Sequence, residues 1–161
     1  MIKIYPESEQ DHVFWAIMGR YFADRRYAKE MGGWQFYTEP NAVWFLLFDQ
    51  DDLAGFCAAF FRKTHVFWDN FYIFPAFRGK GLSRQLIDVR LAYCRTHSDK
   101  PIKTITDNPL QVKNYERIKM QIEGQRGRYT RFILAASHDP NAGIDTVGVS
   151  SAESLESEQG G

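Results

Sequence analysis

The chain has 161 residues, 20 basic and 20 acidic side chains, and two cysteines, Cys57 and Cys94. That length makes one domain with a full core. The charge balance argues against a nucleic-acid surface, and cysteines in apolar segments without CxxC spacing or clustered histidines exclude a disulfide framework or a zinc site, so no metal is expected. The zero net charge hides an asymmetry. From His138 onward there is no Lys or Arg, while Asp139, Asp145, Glu153, Glu156 and Glu158 are acidic, so residues 1–137 carry 20 basic against 15 acidic groups. No apolar run approaches the roughly 18 residues of a membrane span, and Met1–Pro6 does not open as a charged-then-apolar leader, so a cytoplasmic protein is expected.

Ile2–Tyr5 reads as a strand. Glu7 to about Met31 reads as a helix, with Val13, Phe14, Ile17, Met18, Tyr21 and Phe22 at three- and four-residue spacing and Ser8 as its N-cap, Asp11 lying three residues on. Trp34–Asn41 is a loop or short helix. Ala42–Phe48 and Leu53–Phe61 are apolar strands joined by the turn Asp49–Asp52, and Val66–Phe74 is the next strand after Arg62–Thr64. A helix follows from Ser83, a candidate cap, with Leu82, Leu86, Val89 and Tyr93 on one face. Pro101 precedes a β-branched strand, Ile102–Thr106. Asn108-Pro109 starts a helix to about Met120, since proline suits the first helical position. Arg128–Ala136 is the last strand, and the Ser-, Gly- and acid-rich stretch from Ser137, with 138–161 as its acidic part, is expected to be a disordered tail beyond a domain of residues 1–137. The high aromatic content, 16%, lies largely between Phe14 and Phe77 and reads as core packing.

The stretch Phe71–Ser83 carries the chemistry. An aromatic strand enters Pro75, then a short Arg78-Gly79-Lys80-Gly81 turn, then an amphipathic helix. Such a layout aims backbone N–H groups and a positive helix end at phosphate oxygens. Gly79 and Gly81 allow close approach, and Arg78, Lys80 and Arg84 add charge. Neither better-known phosphate loop fits. No Gly-Lys-Ser/Thr ending is present, and the residue three after Gly81 is Arg84 rather than glycine.

What remains, Arg78-x-x-Gly81-x-Ser83, resembles the acyl-CoA-binding signature of the GCN5-related N-acetyltransferases, Gln/Arg-x-x-Gly-x-Gly/Ala. Tyr72-Ile73, Pro75 and an aromatic just before Arg78 match its flanks, and Ser83 replaces the usual Gly or Ala. A second match is Asn108 followed seven positions later by Tyr115. The family's Gly-Phe after that tyrosine is replaced by Lys119-Met120, a departure that leaves the end of this helix open.

The element order β-α-β-β-β-α-β-α-β is similar to this family's α+β fold, a mixed sheet splayed between strands 4 and 5 with acetyl-CoA (coenzyme A) lying in the gap. The resemblance implies that Phe71, Tyr72, Ile73, Arg78, Gly79, Lys80, Gly81, Leu82, Ser83 and Asn108 hold the cofactor. It implies also that Tyr115 contacts it and donates a proton to the leaving thiolate, a phenol being protonated at neutral pH. Direct transfer to an amine needs a base. Asp69, the acid on the fourth strand, is the first candidate, placed by strand parity on the face of Phe67, Phe71 and Ile73; His65 and Glu116 are weaker ones. The acceptor, a small-molecule or peptide amine, would enter at a rim of Trp34, Phe36, Tyr37 and Trp68.

Two other readings stay open at this point. One is a non-catalytic relative that keeps the fold. The other is an enzyme acting on nucleic acid or aminoacyl-tRNA through Arg25, Arg26, Lys29, Arg126, Arg128 and Arg131. Dimers are common in such folds, so a homodimer is possible.

Overall fold

The computed structural model describes residues 1–136, and the expected acidic tail lies outside them. Seven strands form one mixed sheet: β1 (Ile2–Tyr5), β2 (Ala42–Asp49), β3 (Asp52–Phe61), β4 (Val66–Ile73), β5 (Ile102–Thr106), β6 (Gln121–Arg126) and β7 (Tyr129–Leu134), in the spatial order β1-β2-β3-β4-β5-β7-β6. The first four strands make the expected antiparallel meander. β4 and β5 run parallel. The helices are α1 (His12–Ala23), α2 (Arg26–Glu30), α3 (Leu82–His97) and α4 (Pro109–Arg117).

β2 and β3 read as continuous apolar runs because both faces of the sheet are covered. Val43, Phe45 and Leu47 join α3 and α4 in one core, whereas Ala42, Trp44 and Leu46 join α1 in the other. The second core is built of rings: Phe36 meets Phe56 edge-on at 4.9 Å, and Phe22 meets Trp44 at 5.2 Å. The aromatic wealth of the sequence is therefore spent inside, as its packing reading expected.

Four elements depart from the sequence expectation. The long first helix is two. Glu7–Glu9 is a 3-10 turn, and Asp11, not Ser8, caps α1, accepting from the amides of Val13 and Phe14 at 3.0 and 3.2 Å. Asp24 then breaks the run, because its carboxylate accepts from the Arg26 amide at 3.0 Å and so competes with the helical ladder. α3 is capped by Gly81 in the left-handed region, φ 74°, with no side-chain cap, so Ser83 lies inside the helix.

β6 was not expected. Its sequence, QIEGQR, has no alternating apolar pattern because it is an exposed edge strand, joined to β7 through Gly127 at φ 58°. α4 also stops at Arg117 rather than near Met120. Lys119 takes φ 68°, and the Lys119 and Met120 amides bond back to the Glu116 and Tyr115 carbonyls, each at 3.0 Å. That is a Schellman ending with lysine where glycine is usual, and Met120 is buried in the core beyond it. The departure at Lys119-Met120 thus leaves the helix ending and its packing intact.

Burial pushes the Cys57 thiol up to about 12 and that of Cys94 up to about 11, so both are protonated at pH 8. We expect neither to react with an aromatic disulfide reagent in native protein at pH 8, and both to react after denaturation. A fast-reacting native thiol would contradict this burial.

Candidate active site

The parting of β4 and β5 makes the site. Val66, Phe67 and Trp68 pair with Ile102, Lys103 and Thr104, and there the pairing ends. β5 goes on to Thr106 against β7, while β4 goes on to Ile73 against β3. The cause of the divergence is a bulge. Ala58 pairs with Asp69 and Phe56 with Tyr72, so Asn70 and Phe71 stand together opposite Cys57, with Asn70 at φ 56°.

The bulge inverts the strand's parity. Val66 and Trp68 face the α3 core before it, Phe71 and Ile73 do so after it, and Phe67 and Tyr72 face the α1 core. Asp69 therefore lies on the face of Tyr72, not that of Ile73, which corrects the simple alternation. Its Oδ2 accepts from the Tyr37 hydroxyl at 2.8 Å and its Oδ1 from the Asn70 amide at 2.8 Å.

A cavity of about 540 Å³ fills the parting. Phe71, Tyr72 and Ile73 wall it on one side. Pro75, Phe77, Arg78, Gly79, Gly81, Leu82 and Ser83 form one end, and Asn108, Leu110 and Gln111 face them from α4. Of the expected cofactor residues, Lys80 and Tyr115 are not on its wall. Lys80 points 3.8 Å from Asp49 across the Phe77 ring. Tyr115 is one helical turn beyond Gln111, buried between the rings of Trp68 at 6.2 Å and Phe132 at 5.5 Å.

Gly79 and Gly81 take φ of 78° and 74°, and a Cβ on either would meet nothing within 4 Å. Their requirement is thus conformational, and the space before them is open. Behind Gly81 the first turn of α3 carries unbonded amides and the positive end of a sixteen-residue helix. Asn108 Oδ1 caps α4 by accepting from the Leu110 amide at 2.9 Å.

Sequence reasoning missed Glu30, Met31, Leu110 and Gln111, which line the cavity. Among the described residues Glu30 is its one carboxylate. Its Oε2 accepts from the Tyr72 hydroxyl at 2.8 Å and lies 3.4 Å from Arg78 Nη2, while Arg78 Nε donates to the Ile73 carbonyl at 2.9 Å. Burial, then the Glu30 bond, raise the Tyr72 hydroxyl above its ordinary range; burial, then the Asp69 charge, do the same for Tyr37. No signal in the sequence ties Glu30 to Tyr72, 42 residues away.

The expected acceptor rim is only half built. Trp34 is 70% exposed and Tyr37 37% exposed, but Phe36 and Trp68 are buried at 3% and 1%. Trp68 precedes the bulge and so faces the α3 core, where its indole N–H donates to Cys94 Sγ at 3.4 Å. Of the basic residues weighed for nucleic acid, Arg26 pairs with Asp24 and Arg128 with Asp107.

A mixed sheet parted beside an uncapped, glycine-entered helix is the fold of the acyl-CoA-dependent acetyltransferases. A sequence model of the acetyltransferase (GNAT) family matches residues 4–119, and the chain belongs to that family. No curated protein matches the sequence. Among solved structures it is similar to ElaA of Escherichia coli, with 16% identity, a TM-score of 0.65, and 83% of this chain and 98% of that one covered. An acyl-CoA N-acyltransferase from Pseudomonas aeruginosa gives 12%, 0.69, 83% and 97%. The N-acetyltransferase PseH of Campylobacter jejuni, in complex with acetyl coenzyme A, gives 14%, 0.56, 84% and 99%. At these identities the likeness is one of fold. No described helix is long and apolar enough to cross a membrane.

Gly55 sits on β3 opposite Ile73, and a Cβ there would lie 2.6 Å from the Tyr72 carbonyl oxygen and 2.6 Å from Ile73 Cδ1. We expect Gly55→Ala to destabilise the fold by about 1–3 kcal/mol in urea unfolding. Wild-type stability would mean that β3 and β4 are less closely apposed at the cavity wall.

Proposed function

We propose that the protein transfers an acetyl group from acetyl-CoA to an amine by direct attack in a ternary complex. The observation that carries this is that the unbonded amides of α3, the two left-handed glycines and the unpaired edge of β4 open onto one cavity. These residues fit the donor. The amides of Gly79–Ser83 and the Arg78 guanidinium take its diphosphate, the main chain of Phe71–Ile73 pairs with its amide-bearing arm, and the Asn108 side-chain N–H₂ faces that arm from α4.

Acetyl-CoA supplies an acyl carbon activated by a sulfur leaving group. The amine nitrogen bonds to that carbon and the C–S bond breaks. An amine of ordinary basicity is almost wholly protonated at pH 7, so a base must first free its lone pair. Glu30 takes that role in this reading, since it lines the cavity and Asp69 does not. The ammonium's first proton goes to the Glu30 carboxylate. The departing thiolate takes one from Tyr115, buried one helical turn behind Gln111 of the cavity wall, and the proton that the nitrogen sheds as the amide forms restores that phenol. The acceptor is a small-molecule or peptide amine reaching the cavity past Trp34 and Tyr37. The Schellman ending at Lys119 removes one motive for a non-catalytic relative, the altered residues after Tyr115.

Thiol release from acetyl-CoA with pooled amines and peptides tests the reading, with calorimetry for donor binding. Gly81→Glu should abolish donor binding, because it puts a carboxylate and a strained φ at the diphosphate position. Tyr115→Phe and Glu30→Gln should keep binding and lower kcat by about 10²-fold each. Wild-type donor affinity in Gly81→Glu would sink the proposal.

A further inference from the structure

Arg90 of α3 has no solvent exposure. Its Nη1 donates to the Ala58 carbonyl at 3.2 Å, and its guanidinium carbon lies 4.0 Å from the Trp68 ring centroid and 5.3 Å from that of Phe71. Nε and Nη2 have no partner. No ion pair among the described residues includes it. Cys57 and Cys94, the titratable groups nearest in charge interaction, are protonated thiols and give no counter-charge.

A buried cation without a counter-ion is costly, and a side chain that only filled space would be better apolar. The three contacts of Arg90 share one object. Trp68 stands just before the β4 bulge, Phe71 within it, and Ala58 is the β3 residue at which the register slips. The guanidinium thus braces the distortion that turns β4 from β5, and its charge lies beneath the main chain of the cavity wall.

We propose that Arg90 is a positioning residue for the transfer reaction: it holds the β4 bulge and sets an unneutralised positive charge under the amides that face the donor's thioester. This rests on the function proposed above. A carbonyl oxygen gains negative charge as the amine attacks, and a fixed cation in a dry surrounding stabilises that charge without reorganising. The guanidinium need not touch the donor, since the intervening main chain and the Phe71 ring transmit position and field.

Three variants separate charge from packing: Arg90→Lys, Arg90→Gln and Arg90→Met. The probe is acetyl-CoA labelled at the thioester carbonyl, read by isotope-edited infrared spectroscopy, which needs no acceptor. In the wild type the bound carbonyl band should fall below that of free acetyl-CoA. The shift should persist in Arg90→Lys and largely vanish in Arg90→Gln and Arg90→Met. Calorimetric affinity for CoA, which lacks the acetyl group, should stay within about three-fold in every folded variant, while kcat falls by roughly 10–100-fold for Gln and Met.

An unchanged band shift in folded Arg90→Gln or Arg90→Met overturns the inference. So does its loss in a folded Arg90→Lys, which alone decides the matter if the neutral variants do not fold. A wild type that binds CoA but leaves the acetyl-CoA carbonyl band unshifted overturns the role of Arg90 only, whereas no heat with CoA overturns the proposed function as well.

Discussion

The whole arrangement depends on a constraint of sheet geometry. β4 must stay bonded to β3 along its length yet leave β5 after three residues. A strand can do both only if its twist changes locally, and the insertion of Asn70 and Phe71 opposite Cys57 makes that change. Main-chain groups freed by the parting would be a liability in a closed core. Here they border a cavity, and the first turn of α3 supplies further unbonded amides to the same space. The opening between the strands and the helix end behind the glycine turn are therefore one feature seen from two sides.

Electrostatics follows the same division. At the mouth, Arg78 is shared between Glu30 and the Ile73 carbonyl, in a half-exposed pair where solvent weakens the attraction. Beneath the bulge, Arg90 has one carbonyl and two ring faces and no carboxylate. One cation is exchangeable and the other fixed.

Much of this was legible because specialised residues stood at specialised positions. The glycine turn, the Asn108 cap and the three apolar strands each carry a local signal that tertiary packing did not override. Where reading failed, the cause was non-local. The side of the sheet on which Asp69 stands relative to Ile73 depends on the bulge at Asn70 and Phe71, which no alternation rule contains, and Trp68, placed on the rim by its aromatic character, is buried against the α3 core. β6 escaped because an edge strand need bury nothing. Glu30 escaped because its partners, Tyr72 and Arg78, are distant in sequence and meet it only in the folded chain. The Lys119 ending was misjudged because lysine tolerates, at some cost, the backbone that glycine takes freely.

Asn70 does more than widen the strand. Its side-chain amide accepts from the Tyr37 N–H at 3.2 Å and donates to the Tyr37 carbonyl at 2.8 Å, imitating one rung of a β-ladder. The segment leading out of α2 is therefore stitched to the very residue that parts the sheet. Grafting a different loop between Gly33 and Pro40 would tug on β4 where it leaves β5 unless that rung survives, so the loop and the parting of the sheet share a single hinge pin.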